Sequence, residues 1–113
     1  MSRNVCRRPL AGTAAVVFLL VAHVGCASLS ARAPAVSATM AAAAAARGED
    51  PAGLARGRAL YVGRCTRCHA AVTVADRTPQ QWREIVPRMA AKARLTAAET
   101  ADLAAYVAAV GRE

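Results

Sequence analysis

From residue 50 onward the apolar positions of the chain recur at intervals of three and four, the period of one face of an α-helix. In DPAGLARGRALYVGRC, Leu54, Gly57, Leu60 and Tyr61 fall on one side, and Arg56 and Arg64 point away. The stretch opens on Asp50-Pro51, an acid at the N-cap and a proline at the first helical position. Gly57, one turn before Tyr61, leaves a flat spot where another helix can cross closely. A second start is TPQQW: Thr78 caps, Pro79 opens the first turn and Gln81 completes a capping box. Trp82, Ile85, Val86 and Met89 follow at helical spacing, but Pro87 removes the bond to the Arg83 carbonyl and predicts a kink or a new short helix. The third start is TAAE, with Thr96 as cap and Glu99 pairing back. Leu103, Tyr106, Val107 and Val110 form its stripe, and Gly111 stops it. No stretch alternates with period two. The pattern predicts an all-α domain of three to four short helices over residues 50–113.

Before residue 50 the pattern is of another kind. Arg3, Arg7 and Arg8 precede an unbroken apolar run, LAGTAAVVFLLVAHV, and small residues follow in GCASLSA. The run suits a signal peptide and is short for a membrane span. Pro9 and Leu10 match a twin-arginine signal poorly. Two exits from residues 1–26 are open. Cleavage after Ala27 satisfies the small-x-small rule through Gly25 and Ala27. HVGC resembles a bacterial lipobox, which would make Cys26 the lipid-bearing first residue, although His23 stands where a leucine-like residue is usual. Cys6 falls in the discarded part, and His23 is a passenger of the signal. Residues 27–49, ASLSARAPAVSATMAAAAAARGE, carry no large apolar residue at regular spacing. Ala41 to Ala46 has helix propensity but nothing to bury. The segment reads as a low-complexity tether, partly helical at most, that as coil would span about 25–30 Å. Met40 is assigned no role in it.

Composition adds a constraint. The chain has 113 residues and is 56% hydrophobic, but much of that is alanine, and aromatics make up 4%. A core so built buries little area per residue, so the domain needs a staple such as disulfides, a metal or a cofactor. The net charge is +8, carried almost wholly by arginine, with Lys92 the one lysine. Residues 50–113 hold ten Lys/Arg against six Asp/Glu, a modest +4. For an exported protein this charge speaks against nucleic acid and for an acidic protein partner met by electrostatic steering.

The candidate staple is RCTRCHA, residues 64–70, where Cys65 and Cys68 stand three apart and His69 follows. A thioredoxin-like dithiol needs a βαβ frame that the pattern lacks. A structural zinc site needs four ligands, and this cluster offers three. A disulfide here would close a tiny loop and contribute little. C-x-x-C-H as a covalent haem attachment site fits better. Two thiols at this spacing can add to the two vinyl groups of one haem, and the next residue falls under the iron, making His69 the proximal ligand. Export agrees, since haem of this type is attached outside the bacterial cytoplasm. The mature chain holds no second histidine, so the other axial position falls to a thioether, Lys92, a terminus or water. Met40 lies in the tether, which leaves Met89, 20 residues past His69, as the candidate distal ligand, against a plain core-packing role.

With these residues in view, the chain resembles a small monohaem c-type cytochrome of the class I kind. GRALYVGRCTRCHA is similar to the first helix and haem turn of that family, and LTAAETADLAAYVAAV to its final helix; the likeness covers about residues 50–112. The short stretch AAVTVADRTPQQW lacks the Gly-Pro loop of larger members and is closer to the compact variety with W…RM downstream, here Trp82 to Arg88-Met89. The resemblance implies a cytochrome c-like fold with the last helix crossing the first, one covalent haem c and His/Met ligation. It also implies single-electron transfer between redox proteins in the periplasm, without enzymatic activity of its own. Two other readings stand beside it: a five-coordinate haem sensor or ligand-binding protein, if Met89 does not bind, and the haem subunit of a larger oxidoreductase. Trp82 is read as core, or as a partner for a haem propionate through its indole N–H. Tyr61 and Tyr106 are read as helix-crossing contacts. Arg64 and Arg67 are read as solvated charges or as a ring at the haem edge.

Overall fold

The structure, a computed structural model, describes residues 29–113. The expected signal peptide, with Cys6, His23 and Cys26, lies outside the described residues. Residues 29–32 are helical and lead to α1 (Ala38–Ala46), α2 (Pro51–Gly63), α3 (Pro79–Ala93) and α4 (Ala97–Val110). Two single 3₁₀ turns, Cys65–Arg67 and Val74–Asp76, lie between α2 and α3. Among the described residues there is no strand, and no helix is long and apolar enough to cross a membrane.

The helix starts have the local chemistry expected of them. The Asp50 carboxylate accepts from the Ala52 N–H at 2.9 Å ahead of Pro51. Thr78 and Gln81 form a reciprocal capping box at the head of α3, and Thr96 and Glu99 do the same for α4. Each box satisfies two backbone donors that a bare helix end leaves orphaned. Pro87 does not start a new helix: residues 79–93 are one helix with the proline inside. Trp82, Val86 and Ala90 anchor the inner face on both sides of it, and the lost bond falls at an exposed position where water can take the freed carbonyl. The helix ends on Arg94 in the left-handed region, φ 53°, a conformation usually left to glycine.

The central packing is α2 against α4. Gly57 makes it close, because a Cβ there would stand 2.1 Å from the Asp102 carbonyl oxygen and 2.8 Å from the Tyr106 Cβ. Arg56 is exposed, yet it binds across the crossing: its Nε and Nη2 donate to the Asp102 carboxylate at 2.7 and 3.1 Å, and Nη2 also reaches Asp50 at 2.9 Å. Leu54, Tyr106 and Val74 are fully buried, with Trp82, Val86, Leu103 and Val107 beside them. Tyr61 meets Trp82 edge to face, ring centroids 6.1 Å apart, and tilts against Tyr106 at 6.4 Å.

The N-terminal segment corrects the tether expectation. Ala33 and Ala44 are fully buried and Met40 is 3% exposed, all part of the one core. Ser37 caps α1 by accepting from the Met40 N–H at 3.0 Å. Arg58 Nε donates to the carbonyls of Ala33 and Pro34 at 3.0 and 2.9 Å, and the Tyr106 hydroxyl donates to Pro34 at 2.8 Å. The physical reason is alanine. A face of small side chains carries little hydropathy signal, but it lets α1 come close to α2 and α4, where Met40 fills the gap. Residues 29–49 are a strap wrapped on the helices.

Candidate functional site

Cys65 opens the 3₁₀ turn that follows α2, and Cys68 caps its far end. Both are free thiols; Cys65 is half-buried and Cys68 exposed. Burial pushes the Cys65 thiol up from its ordinary value, so it stays protonated near neutral pH. Redox and catalytic cysteines are held the other way, as thiolates, by nearby positive charge or a helix N-terminus. Among the described residues, no group of three or more His, Cys, Asp or Glu side chains is gathered to hold a metal ion. Cys65, Cys68 and His69 therefore do not converge as a zinc site would need.

His69 is exposed, and its Nδ1 lies 2.8 Å from the Ala70 carbonyl oxygen. A carbonyl can only accept, so this contact requires the proton on Nδ1 and leaves the lone pair of Nε2 free for a ligand. Such a bond from the far nitrogen is what orients and strengthens a ligating imidazole.

What these residues line is a cleft. Cys65 and His69 from the turn and Met89 from α3 face one apolar space, a cavity of about 160 Å³ walled by Tyr61, Val72, Trp82, Ile85, Val86 and Leu103. Arg77 is the one permanently charged side chain on that wall. A second, more polar space adjoins it, sharing Cys65, His69 and Met89 and adding Cys68, Arg64, Arg67, Lys92 and Arg94. Apolar walls with a few fixed donors suit an organic cofactor rather than a bare ion. A planar macrocycle bearing carboxylates fits the donor set. The wall is apolar, the Cys65 thiol stands on it and the Cys68 thiol on the adjoining space, an imidazole and a thioether from separate elements line both, and cations line the outer space.

The structure thus brings Cys65, His69 and Met89 to one cleft and leaves Met40 in the strap, on neither space. Trp82 lines the cleft, but its indole N–H donates to the Val74 carbonyl at 2.9 Å, so it does not serve a propionate as considered above. The Tyr61 hydroxyl is likewise committed, donating to the Val72 carbonyl. Burial pushes the Tyr61 phenol up, and the nearby charges of Arg32 and Arg77 pull against it. Arg64 donates to the Ala93 carbonyl at 3.4 Å while lining the outer space beside Arg67. Sequence reasoning passed over Arg77, Arg94 and Arg32. No spacing marks them, because their approach to the site depends on how separate segments pack.

Comparison of the chain with family models, with curated proteins and with solved structures gives no match.

Proposed function

We propose that the chain is an exported carrier of single electrons, a small c-type cytochrome with one covalent haem, working in the bacterial periplasm. The observation that supports it best is that Cys65 and His69 of the C-x-x-C-H run share an apolar cleft with Met89. In this reading the Cys65 and Cys68 thiols would hold the haem covalently, each S–H adding across one vinyl group with one C–S and one C–H bond formed. The raised pKa of Cys65 keeps that thiol in the protonated form until then. His69 binds iron through Nε2 while Nδ1–H holds the Ala70 carbonyl. Met89 would supply a second donor from the opposite element, so no position would remain for a substrate and the chain would carry electrons rather than act as an enzyme. When bound, the haem supplies reversible one-electron exchange at iron. Tyr61, Trp82, Ile85 and Leu103 keep water from the cleft, and the cations at its rims can meet propionates or an acidic redox partner. Cys26, if lipidated, would hold the carrier at a membrane.

The test is a haemochrome assay on the full chain made with a cytochrome c maturation system. The expected result is one covalent haem, with the spectrum of a single thioether in Cys65→Ser or Cys68→Ser. A wild-type chain that acquires no covalent haem would sink the reading.

A further inference from the structure

The loop that leaves His69 has no regular structure before the 3₁₀ turn at Val74–Asp76. Donors from elsewhere in the chain take most of its carbonyls instead. Ala70 accepts from His69 Nδ1 at 2.8 Å, Ala71 from Arg32 Nη1 at 2.8 Å, and Val72 from the Tyr61 hydroxyl. Thr73 accepts from the Asp76 N–H at 3.1 Å, and Val74 from Trp82 Nε1 at 2.9 Å. Two of the outside donors, Tyr61 and Trp82, belong to α2 and α3. The third comes from the strap, 39 residues before the carbonyl it holds.

Arg32 is delivered from a fixed base. The next residue, Ala33, is fully buried, and the carbonyls of Ala33 and Pro34 are gripped by Arg58 and Tyr106. The guanidinium is always charged, so it makes a charge-assisted bond to a neutral carbonyl at any physiological pH. The held carbonyl is two residues from His69, and the intervening peptide is the one whose carbonyl accepts from the imidazole. Holding the Ala71 carbonyl restrains the backbone at Ala71, and with it the adjoining Ala70 peptide whose oxygen accepts from the ring.

We infer that Arg32 is a positioning residue for His69, reaching from the N-terminal strap to clamp the Ala71 carbonyl and through it the orientation of the imidazole. The inference rests on the reading of His69 as the iron ligand, and it turns the strap into part of the site. The segment before α2 is then needed for a well-set proximal bond.

The experiment compares Arg32→Gln, Arg32→Lys and Arg47→Gln in the full chain, purified after co-expression with the maturation system. Arg47→Gln removes the same charge from the strap, where Arg47 pairs with Glu49 and does not touch the loop. The ¹³C shift of the Ala71 carbonyl reads the clamp, and exchange of the His69 Nδ1 proton, followed by NMR in the reduced protein, reads the ring. Arg32→Gln is expected to move the Ala71 carbonyl shift to that of a water-bonded carbonyl and to speed exchange of the Nδ1 proton on the order of tenfold, the effect of losing about one hydrogen bond's worth of restraint at an accessible site. Arg32→Lys, with a charged N–H donor in place, should recover part of both, and Arg47→Gln should change neither. An Ala71 carbonyl shift that is the same in Arg32→Gln and Arg47→Gln overturns the inference, and so does a shifted carbonyl with an unchanged Nδ1 proton. A wild-type chain without covalent haem fails the electron-carrier reading instead; the Ala71 carbonyl shift in that same chain then decides the clamp alone.

Discussion

Gly57→Ala puts the α2–α4 crossing under direct strain. The added Cβ would lie 2.1 Å from the Asp102 carbonyl oxygen, 2.7 Å from its carbonyl carbon and 2.8 Å from the Tyr106 Cβ. None of these is the free end of a flexible side chain. To restore an ordinary contact of 3.4 Å at the oxygen, α4 must retreat by about 1.3 Å. That retreat pulls Asp102 from Arg56 and Tyr106 from the strap carbonyl of Pro34, so the damage spreads beyond one contact. Overpacking costs about 1–3 kcal/mol, and a backbone clash belongs near ~3. Alanine's better helix propensity returns about 1 kcal/mol. The net loss is about 2 kcal/mol, a fall in melting temperature of roughly 8–16 °C for a domain this size. Thermal unfolding followed by far-UV circular dichroism measures it. Two other glycines of α2 calibrate the result. At Gly53 the nearest atom is the Asp102 Oδ1 at 2.8 Å, a side-chain end that can shift, so the cost should be smaller. At Gly63 nothing lies within 4 Å, so alanine should be neutral or stabilising by up to about 1 kcal/mol. If Gly57→Ala melts at or above the wild type, or Gly63→Ala falls as far as Gly57→Ala, the close crossing is not what sets this interface.

Three further outcomes follow from named contacts. Met40→Ala should destabilise the protein by about 2 kcal/mol or more, as truncation of a buried methionine does, and should open residues 33–49 to limited proteolysis; a free tether would show neither change. Burial is the main reason the Tyr106 phenol is pushed up to about 12 from an ordinary 10.0, so its share of stability is full below pH 10 and is lost as pH rises toward about 12. Tyr106→Phe should remove that part of the alkaline loss in denaturant titrations run across this range, along with the bond to Pro34. Met89→Ala should leave haem attachment intact, because Cys65, Cys68 and His69 are untouched, while lowering the reduction potential and admitting CO. A reduced wild type that already binds CO readily would mean that Met89 is only part of the cleft wall.

Much of the helical frame could be read from the chain because it is local. Asp50-Pro51, Thr78 with Gln81, and Thr96 with Glu99 satisfy their own helix ends within a single turn, so their meaning does not depend on what lies across the fold. Gly57 was legible for a related reason: a missing side chain in an apolar stripe has few uses other than close approach. The C-x-x-C-H run is legible as a local pattern, and the structure adds that its Cys65 and His69 line one cleft with Met89. Pro87 does not split the helix in two, because one missing bond weighs little against inner-face packing on both sides of it. The strap was misjudged because alanine gives no periodic signal; Ala33, Met40 and Ala44 become core only when α2 and α4 present a surface close enough to cover them. That Trp82 donates to Val74 rather than into the cleft, and that Arg32 holds Ala71, were decided by tertiary structure alone. Each depends on the path of the irregular loop after His69, where the carbonyls of Ala71, Val72 and Val74 find their donors 8 to 39 residues away, at separations that no pattern along the chain encodes.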